Sequence, residues 1–231
     1  MNCIDGVILV ADTKFIINGG SNFDYDYKIT GELRGVLTAF AGNREPFEDF
    51  RAHLREYGVE TQNKQHGIRV DELTIRIRNI MRSLDAHYGS HYNFDVLVGI
   101  STSVDSKVMY FYQDGRPEYI KRYKAIGSGS PFPAIYLKKH WHENITMDEA
   151  ADLGFFAVRY IEKFELDMAV GTGLDKPYPQ IKFISNKPLT DGRIDYYPSD
   201  DDNKRYEKNA GGRLVKIEES VINDYYIPEE H

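Results

Sequence analysis

The chain has 231 residues, of which 41% are hydrophobic and 28% charged, with a formal net charge of -7. That length suits one compact domain with a sizeable core. The acidic balance excludes the broad basic face that nucleic acid needs, and the longest apolar runs, residues 7–11 and 36–41, are too short to cross a bilayer.

Residues 4–17 hold two β-branched runs, Val7-Ile8-Leu9-Val10 and Phe15-Ile16-Ile17, and the intervening Asp12-Thr13-Lys14 predicts adjacent strands joined by a turn. Residues 18–21 are Gly/Asn punctuation, residues 24–30 predict a short strand, and residues 35–42 an apolar strand ending in Gly42. At Pro46 the period changes. Phe47, Phe50, Leu54 and Tyr57 recur at helical spacing, with Pro46 in the first turn. After a polar stretch at 62–67, a second helix begins at Asp71. Its apolar face takes Leu73, Ile75, Ile77, Ile80, Met81 and Leu84, and Arg76, Arg78 and Arg82 lie outside.

Strand signals return at residues 94–101, 107–112 and 118–122, with Gln113-Asp114-Gly115-Arg116 as a hairpin turn. Residues 132–141 and 147–164 read as helices, the second with Thr146 as N-cap and Glu149 at the capping-box position. Residues 167–171 and 180–184 predict closing strands. This order points to an α+β protein, a four-layer αββα sandwich of two antiparallel sheets flanked by helices, over residues 1–185. Residues 186–231 form a C-terminal tail, partly helical or irregular, with an acidic loop at Asp200-Asp201-Asp202 and an amphipathic patch at 214–222.

Several motifs carry no chemistry of their own. Gly127-Ser128-Gly129-Ser130 lacks the Lys-Ser/Thr of a P-loop and reads as a turn into a helix. His140 and His142 stand two apart, on different faces of a helix, and no third ligand accompanies them. No cofactor and no metal is therefore expected. The single cysteine, Cys3, excludes an intrachain disulfide, and the N-terminus lacks a basic signal segment, so a cytoplasmic protein is expected.

The segment Asp5-Gly6-Val7-Ile8-Leu9-Val10-Ala11-Asp12 resembles the strand of proteasome subunits whose usual form is Asp-Gly-Val-Val-Leu-Ala-Ala-Asp. Further blocks follow in that family's order. Lys28-Ile29 precedes the strand ending Ala41-Gly42, Ala125-Ile126-Gly127-Ser128-Gly129-Ser130 precedes a helix, and Met147-Asp148-Glu149-Ala150 opens the next helix before Asp167. The resemblance covers about residues 4–184 and implies the N-terminal-nucleophile hydrolase fold. It also implies a self-compartmentalising threonine peptidase that degrades unfolded polypeptide, built from homologous subunits in a ring or barrel, with an ATPase activator as a further partner.

In that family the hydroxyl of an N-terminal threonine attacks the peptide bond, and its own α-amine is the general base. By resemblance, Asp12 and Lys28 are the supporting aspartate–lysine pair, Gly42 the oxyanion-hole glycine, Ser128 the supporting serine and Asp167 the second aspartate. The chain departs from the pattern in two places. The second supporting serine, three residues after that aspartate, is Val170, and the expected threonine falls roughly five residues upstream of Met1. Cys3 does not replace it, lying roughly 23 Å along the strand from the expected position. The alternatives to a peptidase with further upstream residues are a non-catalytic structural ring subunit and a stand-alone amidohydrolase or transpeptidase on the same fold.

Overall fold

The computed structural model describes residues 1–17, 22–62, 69–89, 93–101, 106–187 and 195–225. The punctuation expected at 18–21 and the polar stretch beyond residue 62 lie outside the described residues. In chain order the elements are β1 (Asn2–Cys3), β2 (Gly6–Ala11), β3 (Lys14–Ile17), β4 (Asn22–Tyr25), β5 (Ile29–Leu33), β6 (Val36–Gly42), α1 (Arg44–Gln62) and α2 (Val70–Tyr88). Then follow β7 (Phe94–Ser101), β8 (Ser106–Phe111), β9 (Pro117–Ile120), α3 (Pro131–His140), α4 (Met147–Lys163), β10 (Gln180–Ser185), β11 (Asp195–Tyr196) and α5 (Asp200–Tyr225). None of the described helices is long and apolar enough to cross a membrane.

Two antiparallel sheets form the centre, one in the order β1-β2-β10-β11 and the other β5-β6-β7-β8-β9; β3 and β4 pair as a separate hairpin. Side chains alternate across each strand and so feed two different layers. Val36, Phe40, Val96, Val98, Met109 and Phe111 pack under α1 and α2, with Phe40 stacked on Phe47 at 3.6 Å between ring centroids. Their neighbours Leu37, Ala39, Leu97, Val108 and Tyr110 meet Val7, Leu9 and Ile184 between the sheets. Ile8, Ile181 and Phe183 face α4 and α5 on the far side. The result is the four-layer αββα sandwich expected.

Local chemistry accounts for the element ends. Thr146 Oγ1 accepts from Glu149 N–H at 3.2 Å and Glu149 Oε2 accepts from Thr146 N–H at 2.9 Å, a complete capping box at the start of α4. Gly115, at φ +80°, makes the β8–β9 turn, where Arg116 N–H donates to Asp114 Oδ1 at 3.0 Å.

Five expectations are corrected. β2 and β3 are both strands but do not pair: Asp12 Oδ1 accepts from Lys14 N–H at 2.9 Å, turning the chain away, and β10 takes one edge of β2. The strand expected at 24–30 is broken at residues 26–28 into the ends of β4 and β5. Ile75 is exposed, because two residues along a helix is a rotation of about 200° from Leu73 and Ile77. Residues 167–171 form turns instead of a strand, as Asp167 Oδ1 accepts from Ala169 N–H at 2.8 Å. Asp200-Asp201-Asp202 is the first turn of α5, with Ser199 Oγ accepting from Asp202 N–H at 3.1 Å, and acidic side chains suit a helix N-terminus.

Beyond residue 185, β11 pairs with β10 and α5 lies along α4. Tyr206 and Ala210 of α5 are buried there, and Tyr206 Oη donates to Asp148 at 2.6 Å.

Candidate functional site

At one end of the sandwich the sheets part around a cleft of about 1250 Å³. Asp12, at the end of β2, and Lys28, just before β5, face each other there, with Lys28 Nζ 2.8 and 3.0 Å from the two carboxylate oxygens. Both side chains are about 15% exposed, at 14% and 15%. Lys28 Nζ also lies 5.1 Å from the centroid of the Phe15 ring, whose face attracts a cation. Burial pushes the Asp12 carboxyl above its ordinary value; the Lys28 ammonium and hydrogen bonds from Lys28, Lys14 and Gly171 pull the other way without reversing the shift.

Gly42 ends β6 on the cleft wall. Its φ of +114° and the approach of Asn93 require glycine, since a Cβ would fall 1.9 Å from the Asn93 carbonyl oxygen. The chain beyond it is held by Asn43 N–H to Asn93 O at 2.7 Å and Asn93 N–H to Asn43 Oδ1 at 2.8 Å.

Ser128 is exposed on the cleft rim, in the turn before α3, where Gly127 has φ +89°. Asp167 does not line the cleft. It sits behind the rim on a smaller cavity of about 310 Å³, with one carboxylate oxygen 3.6 Å from where a Cβ on Gly129 would lie. The structure thus joins Asp12 to Lys28 directly, puts Gly42 and Ser128 on the same cleft, and keeps Asp167 next to the Ser128 turn. Val170 lines both cavities and packs against Gly129, with Cγ2 2.7 Å from that Cβ position.

Sequence reasoning missed Gln180, which hydrogen-bonds the backbone at Lys28 and Ile29. The signal was present: Gln180 and Lys182 are polar residues on the inward face of the run Gln180-Ile181-Lys182-Phe183-Ile184. It also missed the opposite wall, where Tyr110 Oη donates to Asp95 Oδ1 at 2.7 Å and Lys124 Nζ lies 4.5 Å from the Tyr110 ring centroid.

The edge of β2 away from β10 leads into this cleft. Met1 N–H donates to Ile8 O at 2.7 Å and Ile8 N–H to Met1 O at 3.1 Å, so β1 covers that edge as far as Ile8. Val10, the next residue turned to that side, lines the cleft on the way to Asp12.

A family model described as proteasome subunit matches residues 1–167. The chain belongs to the proteasome subunit family. Membership implies assembly with homologous subunits in a ring and association with proteolysis. A search of curated proteins finds no match. The matched segment carries Asp12, Lys28, Gly42, Ser128 and Asp167, whereas β10, β11 and α5 lie beyond it.

Proposed function

We propose that this proteasome-family chain is a threonine-type endopeptidase subunit of a cytoplasmic, self-compartmentalising protease that degrades unfolded polypeptides. In this reading its native form carries a short strand ahead of Met1, headed by threonine. The observation that supports the reading is the Asp12–Lys28 ion pair, held at 2.8 Å on the wall of the cleft that Gly42 and Ser128 also line. Because Met1 pairs with Ile8, a residue about five places upstream falls opposite Thr13, beside Asp12.

A threonine there would attack the scissile carbonyl with its hydroxyl, and its free α-amine would take the proton. The Lys28 ammonium, oriented by Asp12, would favour the ionised nucleophile electrostatically. Backbone N–H at Gly42 would receive the oxyanion, and Ser128 with Asp167 would steady the threonine amine. An ATPase ring that unfolds substrates is the corresponding partner.

The test is the N-terminal peptide of the protein purified from its source, read by mass spectrometry. The reading expects threonine a few residues before Asn2 and cleavage of a fluorogenic peptide that is abolished by Lys28→Ala. A native chain starting at Met1 would exclude it. A second reading, a non-catalytic ring subunit, is favoured by Val170 standing where the family pattern has a serine; it expects a ring that assembles but cleaves nothing.

A further inference from the structure

We propose that Gln180 is a positioning residue that sets the Lys28 ammonium against the Asp12 carboxylate. Gln180 is buried at 5% exposure and opens β10, directly opposite Ala11 of β2, the residue before Asp12. Its side chain crosses to the other sheet. There Oε1 accepts from Lys28 N–H at 2.8 Å and from Ile29 N–H at 2.7 Å, while Nε2 donates to Ile29 O at 2.6 Å. One residue therefore spans the two sides, pairing through its main chain with Ala11, the neighbour of Asp12, and holding through its carboxamide the backbone at Lys28 and Ile29.

Lys28 needs such an anchor. It is the last residue of the break at residues 26–28, just before β5; its carbonyl accepts from Phe40 N–H at a long 3.3 Å. A lysine side chain has four rotatable bonds, so its ammonium goes where its backbone is fixed and its neighbours allow. The carboxamide is suited to this task because it accepts two N–H groups on its oxygen and donates to a carbonyl from its nitrogen. A carboxylate could do only the first, and an apolar side chain neither. Removing it would take the partner from one buried backbone donor, at Ile29, and one half-buried donor, at Lys28, which drives the segment to rearrange.

The role in chemistry rests on the peptidase reading, but the placement of Lys28 does not, and the two are tested separately. Protein labelled with ¹³C at the aspartate γ-carbons is titrated by NMR, with the Asp12 resonance assigned from its loss in Asp12→Asn. Gln180→Met keeps the volume without the hydrogen bonds, and Gln180→Asn keeps the amide but falls short of Ile29. Leu37→Ala, buried between the same sheets, is the control for general loosening.

Both Gln180 variants are expected to raise the Asp12 titration midpoint by about one pH unit, a tenfold change, as the ammonium leaves its carboxylate. Leu37→Ala is expected to leave it in place. An unchanged Asp12 midpoint in whichever Gln180 variant folds would overturn the proposal, as would an equal shift in Leu37→Ala. If the midpoint moves as expected but threonine-headed wild type cleaves no peptide, the positioning role stands and the peptidase reading fails. If that wild type cleaves, Gln180→Met should lower kcat about tenfold with KM little changed.

Discussion

The Asp12–Lys28 pair shows how burial and charge act on one side chain. Asp12 is raised above its ordinary value of 3.8 by burial, even with an ammonium 2.8 Å away. A carboxyl raised on folding contributes stability that is complete below its unfolded value and is lost as pH rises through its folded value. Lys28→Met would remove the main counter-influence and push the folded value further up. The variant should therefore be nearly as stable as wild type below pH 4 and fall behind as pH rises, by about 3 kcal/mol at neutrality. Urea unfolding across that range measures the difference, and Asp12→Asn in the same background should recover much of it. Gly42→Ala tests geometry instead. Its new Cβ would overlap the Asn93 carbonyl at a positive φ, so a loss of about 3 kcal/mol in urea unfolding is expected.

At the scale of elements, α5 is held to α4 by a row of charges and a buried ring. Arg205 pairs with Asp148 at 2.7 Å, Tyr206 donates to the same carboxylate, Asn209 reaches Asp152 at 3.0 Å, and Arg213 bonds Asp152 as well. Hydrogen bonding from Arg205, followed by that from Tyr206, holds Asp148 below its ordinary 3.8, and Ser199 does the same for Asp202. Carboxyls lowered on folding give stability that is present above the unfolded value and disappears as pH falls through the folded one. Hydrogen exchange should accordingly find α5 protected at neutral pH and the first part of the molecule to open below about pH 4. Tyr206→Ala should loosen it at neutral pH too, at a cost of about 3–5 kcal/mol.

Element types were readable where a local rule governs them. The switch to helical spacing at Pro46 marks α1, and the Thr146–Glu149 box marks the start of α4. Pairing was not readable, because nothing local in Val7-Ile8-Leu9-Val10 says that its partner lies at residues 180–185. The site divides in the same way. The spacing of Asp12 and Lys28 suggested their pairing through resemblance, and the structure brings them together. Gln180 escaped because it meets Lys28 across 152 residues of sequence, and only its polarity on an inward strand face hinted at a partner.

For the whole molecule, family membership implies a ring of homologous subunits. Analytical ultracentrifugation of the native protein should then find a species several times the 26.6 kDa of one chain; a monomer at micromolar concentration would favour the stand-alone hydrolase. The placement of β10 also governs when the molecule can exist. It completes the first sheet by pairing Ser185 with Gly6 and Gln180 with Ala11, contacts that span most of the polypeptide. During translation the amino-terminal half can form β5 to β8 with α1 and α2, since those partners are near in sequence. Until β10 emerges, β2 lacks that neighbour and Lys28 lacks its tether. Such distant closure makes this sheet slow to form and keeps the Asp12–Lys28 end unfinished on the ribosome. In the proposed peptidase the catalytic end would therefore take shape only after residue 185 has been made, which would shield the cell from it earlier in synthesis.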